Sequence, residues 1–167
     1  MKKNTLWDNF FAKKGSDSII DFLKTVTLFE DLKVDELVRL ERTLYRRHYK
    51  KNEIIFNEGD PGAALYILQE GEVNVFINYK NNPILLTTLS EGMFFGEIAL
   101  FNEIARSATV IASEDCDIIA LAKSDFILFS QKKPSIGLKI VMRLGDILST
   151  RLIHSNKQIE HLKSEHA

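Results

Sequence analysis

Apolar and polar positions along the chain change their period twice. Over residues 1–44 the spacing is helical. Leu6, Phe10 and Phe11 form one apolar cluster, Ile19, Ile20, Phe22 and Leu23 a second, and Val34, Leu37, Val38 and Leu40 a third. Ser16-Asp17-Ser18 offers side-chain oxygens to open the helix around Ile19, and a further helix is predicted over 34–42. Over residues 45–123 the period shortens to that of strands. Ile54-Ile55-Phe56, Ala64–Leu68, Val73–Ile77, Ile84–Leu89, Ala108–Ala112 and Ile118–Leu121 are short runs rich in β-branched and aromatic residues. Turn signals part them: Glu58-Gly59-Asp60-Pro61-Gly62, Glu70-Gly71, Asn81-Asn82-Pro83, Glu91-Gly92 and Glu114-Asp115. From residue 124 to 167 the helical period returns. Ser124-Asp125 is read as the cap of a short helix through Phe129, and Pro134 opens a long one. The seam of that long helix runs Val141, Leu148, Leu152, Ile159 and Leu162, with Gly145 and Ser155 on the same face, in steps of three and four.

Many short strands separated by tight turns predict a mainly β fold, a jelly-roll-like antiparallel barrel flanked by N-terminal helices and a C-terminal helical lid. The 167 residues suit one domain with appended helices. Lys and Arg number 22 against 23 Asp and Glu, and this balance argues against direct nucleic-acid binding or an anionic membrane surface. The single cysteine, Cys116, excludes an internal disulfide and a cysteine-based metal cluster within one chain. No run reaches the length of a membrane span, and no apolar stretch follows Lys2 and Lys3 as in a secretory signal. The expectation is a cytoplasmic chain.

One stretch, residues 94–110, carries chemistry. Phe94-Phe95-Gly96-Glu97-Ile98-Ala99-Leu100-Phe101 leaves a strand-like run, turns at glycine and enters a short helical piece. Ile104-Ala105-Arg106-Ser107-Ala108-Thr109-Val110 then leads back into a strand. Glycine lets backbone amides approach a ligand, and a helix start offers unpaired N–H donors. Arg106 supplies a forked, permanently charged partner for phosphate, and Ser107 adds a hydroxyl. Glu97 repels anions, so its presence points to a ligand that also carries a hydroxyl donor, such as a ribose.

Phe-Gly-Glu-Ile-Ala-Leu followed by Ala-Arg-Ser-Ala-Thr-Val resembles the phosphate-binding cassette of cyclic-nucleotide-binding domains. That family includes kinase regulatory subunits, nucleotide-gated channels and bacterial catabolite-activator regulators. The resemblance spans roughly residues 26–160 and includes Phe56–Gly62 and Tyr66–Val73. It implies that Glu97 accepts the ribose 2′-OH, that Arg106 pairs with the cyclic phosphate, and that Gly96, Ile98, Ala99 and Ser107 place further donors around it. It also implies that Ser155 or Asn156, late in the long helix, reaches the base. Many members carry proline before the arginine, where this chain has Ala105. The likeness to bacterial members favours cyclic AMP over cyclic GMP, although Ser107 serves either.

His48, His154, His161 and His166 form no His-x-His pair in the strand region, so a metal-dependent barrel enzyme is not expected. Neither a catalytic triad nor paired carboxylates can be assembled from the sequence. The expected function is therefore a sensor that binds reversibly without catalysis, reports through its C-terminal helix to an effector protein, and pairs through that helix as a homodimer. Two alternatives are a ligand-free interaction module of the same fold and the sensor half of a transcription regulator. The resemblance to the catabolite activators stops where their helix-turn-helix would begin.

Overall fold

The computed structural model describes residues 16–102 and 104–165. The cluster expected at Leu6, Phe10 and Phe11 lies outside those residues. Eight strands form: β1 Leu44–Tyr49, β2 Ile54–Phe56, β3 Ala64–Glu70, β4 Val73–Ile77, β5 Ile84–Leu89, β6 Phe94–Phe95, β7 Thr109–Ala112 and β8 Cys116–Ala122. They make two antiparallel four-stranded sheets, ordered β1-β8-β3-β6 and β2-β7-β4-β5. The jelly-roll-like arrangement is thus realised as two separate sheets, not as a closed barrel.

Alternation along the first sheet explains why its central strands are apolar at almost every position. Leu65, Ile67, Ile119, Leu121 and Phe94 join one buried cluster with the helices. Their neighbours Leu68, Ile118, Cys116 and Phe95 join another with Val73, Val110 and Ala112 of the second sheet. Successive strand side chains point to opposite faces, so a sheet covered on both sides needs apolar residues in both registers.

Helices α1 Ser16–Thr25 and α2 Val34–Glu41, with a 3-10 turn at Thr27–Phe29 between them, precede the sheets. After them come α4 Lys123–Lys132 and α5 Pro134–Glu165, and a four-residue helix, α3 Ile98–Phe101, interrupts the second half of the sheet region. The first half of α5 is fixed to the N-terminal helices by Ile136, Ile140 and Leu144, which are buried with Leu37 and Leu40. Two ion pairs reinforce it. Lys139 Nζ lies 2.8 Å from Glu36 Oε2, and Arg143 pairs with Glu30. The Lys139 ammonium, with the Lys33 amide, holds the Glu36 carboxyl below its ordinary value.

Two departures from the sequence reading have clear causes. β1 is an edge strand whose four central residues, Tyr45 to His48, are all exposed, so it carries no apolar period to detect. α4 starts with Ala122 as its N-cap and no side-chain cap bond; Asp125, expected to help cap it, instead accepts a hydrogen bond from Tyr45 Oη at 2.9 Å.

Gly71, in the β3–β4 hairpin, has φ +93°, and a Cβ there would lie 2.5 Å from the Asp115 carbonyl. Gly71→Ala is therefore expected to cost about 1–3 kcal/mol, read by urea unfolding. An unchanged midpoint would show that this hairpin relaxes freely.

Candidate functional site

A cavity of about 400 Å³ opens where the cassette meets the second sheet. Phe56, Val75, Thr87 and Leu89 supply its strand walls, residues 94–99 and 104–108 its cassette wall, and Arg151 of α5 its outer rim. The size falls within the range of small-ligand sites.

Arg106 dominates the interior. Its residue is 8% exposed, and its guanidinium donates from Nη1 to the Gly96 carbonyl at 3.1 Å and from Nη2 to the Ala64 carbonyl at 2.9 Å. Its carbon lies 4.1 Å from the Phe56 ring centroid and 5.4 Å from that of Tyr66, and the Tyr66 ring stacks on Phe95. The aromatic faces attract the cation, but Nε is buried with no partner, and among the described residues no carboxylate bonds to the side chain. Burial pushes its pKa down from the usual arginine range. The surrounding backbone is zipped in place: the Arg106 amide donates to the Asp60 carbonyl and the Gly59 amide to the Arg106 carbonyl, both at 2.8 Å. Gly96 has φ +71°, and a Cβ there would fall 2.5 Å from Arg106 Nη1, so the close approach of this guanidinium demands glycine.

Glu97 stands at the start of α3, where Ala99 N–H bonds to the Gly96 carbonyl and Leu100 N–H to that of Glu97. The amides of Glu97 and Ile98 thus precede the first helical bonds. The Glu97 side chain is 12% exposed, and its Oε1 accepts a hydrogen bond from Arg151 Nη1 at 2.8 Å. The Arg151 guanidinium also lies 4.7 Å from the centroid of Phe94.

The structure brings Gly96, Glu97, Ile98, Ala99, Arg106 and Ser107 to the wall of one cavity. Ser155 and Asn156 are exposed on α5 and do not line it. The residue of α5 that does is Arg151, one helical turn before Ser155 on the same face. The seam reading passed over Arg151 because it is a charge outside the apolar stripe. A signal was available: a carboxylate in an anion cradle requires a nearby cation. The charged lining residues are Glu97, Arg106 and Arg151, a formal balance of +1. The lining sets hydroxyls at Thr87 and Ser107 beside the Arg106 guanidinium, an arrangement suited to holding an anion. Among the described residues, no three His, Cys, Asp or Glu side chains are grouped to hold a metal, and no helix is long and apolar enough to cross a membrane.

The model of the family described as "Cyclic nucleotide-binding domain" matches residues 46–133. The chain is 30% identical over 146 residues to the Cyclic AMP receptor protein of Thermus thermophilus, covering 87% of this chain and 66% of that one. It is 34% identical over 150 residues to Glutaminase 1 of Bradyrhizobium diazoefficiens, covering 87% of this chain but 24% of that protein. Among solved structures, a cyclic nucleotide-binding domain from Methylobacillus flagellatus superposes with a TM-score of 0.75 at 25% identity, covering 91% of this chain and 83% of that one. The chain therefore spans from about a quarter to two thirds of the length of these curated relatives.

Among the described residues no carboxylate bonds the Arg106 guanidinium, and Glu97 and Asp60 act on it only through space, so its desolvation is a standing cost. Arg106→Met, which keeps an unbranched apolar stem and removes the guanidinium, is expected to leave the thermal midpoint of the ligand-free protein unchanged or raised. A fall of several degrees would show that the two carbonyl bonds outweigh the desolvated charge.

Proposed function

The chain belongs to the cyclic nucleotide-binding domain family, and from that premise we propose that its cavity binds cyclic AMP reversibly and that α5 carries the response to an effector protein. The observation that carries this reading is the Arg106 guanidinium, buried at the cavity wall with an unpartnered Nε and no carboxylate among its bonds. A cyclic phosphate supplies the missing counter-charge. Glu97, half of whose carboxylate is bonded to Arg151, offers Oε2 to the ribose 2′-OH. The amides of residues 96–98 and the Ser107 hydroxyl complete the phosphate cradle, with Ala99 packed beside them. The base lies toward Val75, Thr87 and Leu89, an apolar wall suited to a purine face. Ser155 and Asn156 reach its edge only if α5 swings inward by about a turn. Cyclic AMP is favoured over cyclic GMP on the likeness to the Thermus receptor, whose name specifies that ligand.

The signalling step follows from linkage: a ligand shifts α5 only as far as it binds one position of the helix better than another. Val141, Leu152, Ile159 and Leu162 are exposed along the seam, Leu152 and Ile159 one heptad apart. That stripe fits a second copy of the chain in a homodimer, with the effector protein reading the same helix. No chemistry on the nucleotide is required, and the cytoplasm is where a cyclic nucleotide meets such a sensor.

Calorimetry with cyclic AMP and cyclic GMP on the purified chain tests the site. Arg106→Ala is expected to weaken binding by about 2–5 kcal/mol, thirtyfold or more. Arg106→Lys is expected to recover only part of that, since an ammonium cannot reproduce the fork. Wild-type affinity in either variant would place the anion elsewhere. If Glu97 serves the ribose, Glu97→Gln lowers affinity for cyclic AMP more than for 2′-deoxy cyclic AMP; equal losses would remove Glu97 from that role. For the output, cyclic AMP is expected to slow amide exchange over residues 149–160, and exchange indifferent to the ligand would leave α5 as packing alone.

A further inference from the structure

We infer that Arg151 is a positioning residue for the nucleotide site: its guanidinium neutralises Glu97, which allows a carboxylate to stand inside an anion-binding cavity, and by the same bond it ties the second half of α5 to the cassette. This deepens the cyclic nucleotide reading and rests on it. The juxtaposition is specific. Arg151 Nη1 reaches Glu97 Oε1 at 2.8 Å, its Nη2 lies 3.5 Å from the Phe94 carbonyl, and its carbon sits 4.7 Å from the centroid of the Phe94 ring. Phe94 is a core residue, 4% exposed, and the Glu97 side chain is 12% exposed, while the Arg151 side chain, 45% exposed, covers both from the solvent side. The charge balance gives the reason. Glu97 and Arg106 alone make the cavity formally neutral, with a negative end facing the incoming phosphate; Arg151 raises the sum to +1. It leaves Glu97 one free oxygen, so neutralising the carboxylate and accepting a hydroxyl are compatible.

The position of α5 therefore enters the affinity of the site through one ion pair. When the helix moves away, Glu97 keeps its charge and loses its counter-ion, and the phosphate binds less well. When the phosphate binds, the arrangement with Arg151 in place is favoured. The coupling runs equally in both directions.

The test uses 2′-deoxy cyclic AMP, which asks no hydrogen bond of Glu97. Arg151→Ala is expected to weaken this ligand about three- to fivefold, the scale of a partly exposed ion pair. Introduced into Glu97→Gln, the same substitution is expected to change affinity by no more than about twofold, because no carboxylate remains to neutralise. Arg151→Lys, with its charge retained, falls between. Equal losses in both backgrounds would overturn the inference, since Arg151 would then act independently of Glu97. A second arm needs no nucleotide. In the ligand-free protein, Arg151→Ala and Glu97→Gln are each expected to speed amide exchange over residues 148–156 by a similar factor, and unchanged exchange in both would also overturn it. If the wild-type chain bound neither cyclic nucleotide, the proposed ligand would fail, while the exchange arm would still decide whether the pair holds the helix.

Discussion

A buried guanidinium that, among the described residues, has no carboxylate hydrogen-bonded to it is the constraint around which the site is arranged. Arginine is the one side chain that stays charged on burial, so the protein must distribute neutral groups around it. It does so with two backbone carbonyls, from Gly96 and Ala64, and with the faces of Phe56 and Tyr66. Each fixes something else. The carbonyl of Gly96 is available because that residue turns with positive φ and carries no side chain. The carbonyl of Ala64 is held by the pairing of β3 with β8. The Tyr66 and Phe95 rings stack on adjacent strands, and Phe95 reaches into the core shared by the two sheets. These groups leave Nε buried without a hydrogen-bond partner.

The second charge problem is the converse. A carboxylate beside an anion site has to be neutralised by something outside the cassette. Asn57 bonds the side chain of Asp60, another acid whose charge acts on Arg106, through its backbone amide at 2.7 Å and keeps that carboxyl below its ordinary range. Asp60 is thus satisfied locally and contributes its backbone carbonyl to Arg106, while Glu97 is left to a cation from α5. Local satisfaction of one acid and remote satisfaction of the other tether the cassette to α5 through Arg151, which also meets the Phe94 carbonyl and ring.

The sequence revealed the elements whose burial is one-sided or complete, because those print a period or a continuous apolar run. β3, β4, β7 and β8 were legible for that reason, as was α2 with Leu37 and Leu40. β1 was not, since Arg46, Arg47 and His48 lie exposed on an edge and stability comes from its ladder to β8. The start of α4 was misplaced because Asp125 has a tertiary partner, Tyr45, that no local motif encodes. At the site, residues 96–99 and 106–107 were legible as a contiguous pattern. Arg151 was not, because it lies 54 residues from Glu97 and only the path of α5 brings them together. Ser155 and Asn156 lie on the same helix as Arg151 but do not line the cavity.

The geometry of α5 decides where a signal can appear. Its first half is locked: Ile136, Ile140 and Leu144 are buried, and Lys139 and Arg143 are paired to the N-terminal helices. Moving that half would expose apolar surface and strand Glu36, an acid 14% exposed, without its ammonium. Beyond Leu148 the helix presents exposed Leu152, Ile153, Ile159 and Leu162, and its bond to the cassette runs through Arg151. Displacing this half costs little burial. A ligand that biases the helix by a few kcal/mol therefore acts beyond Leu148, where the energy needed is small, and leaves the anchored half unmoved. The exposed seam from Leu152 onward is thus the part of α5 whose displacement costs least burial.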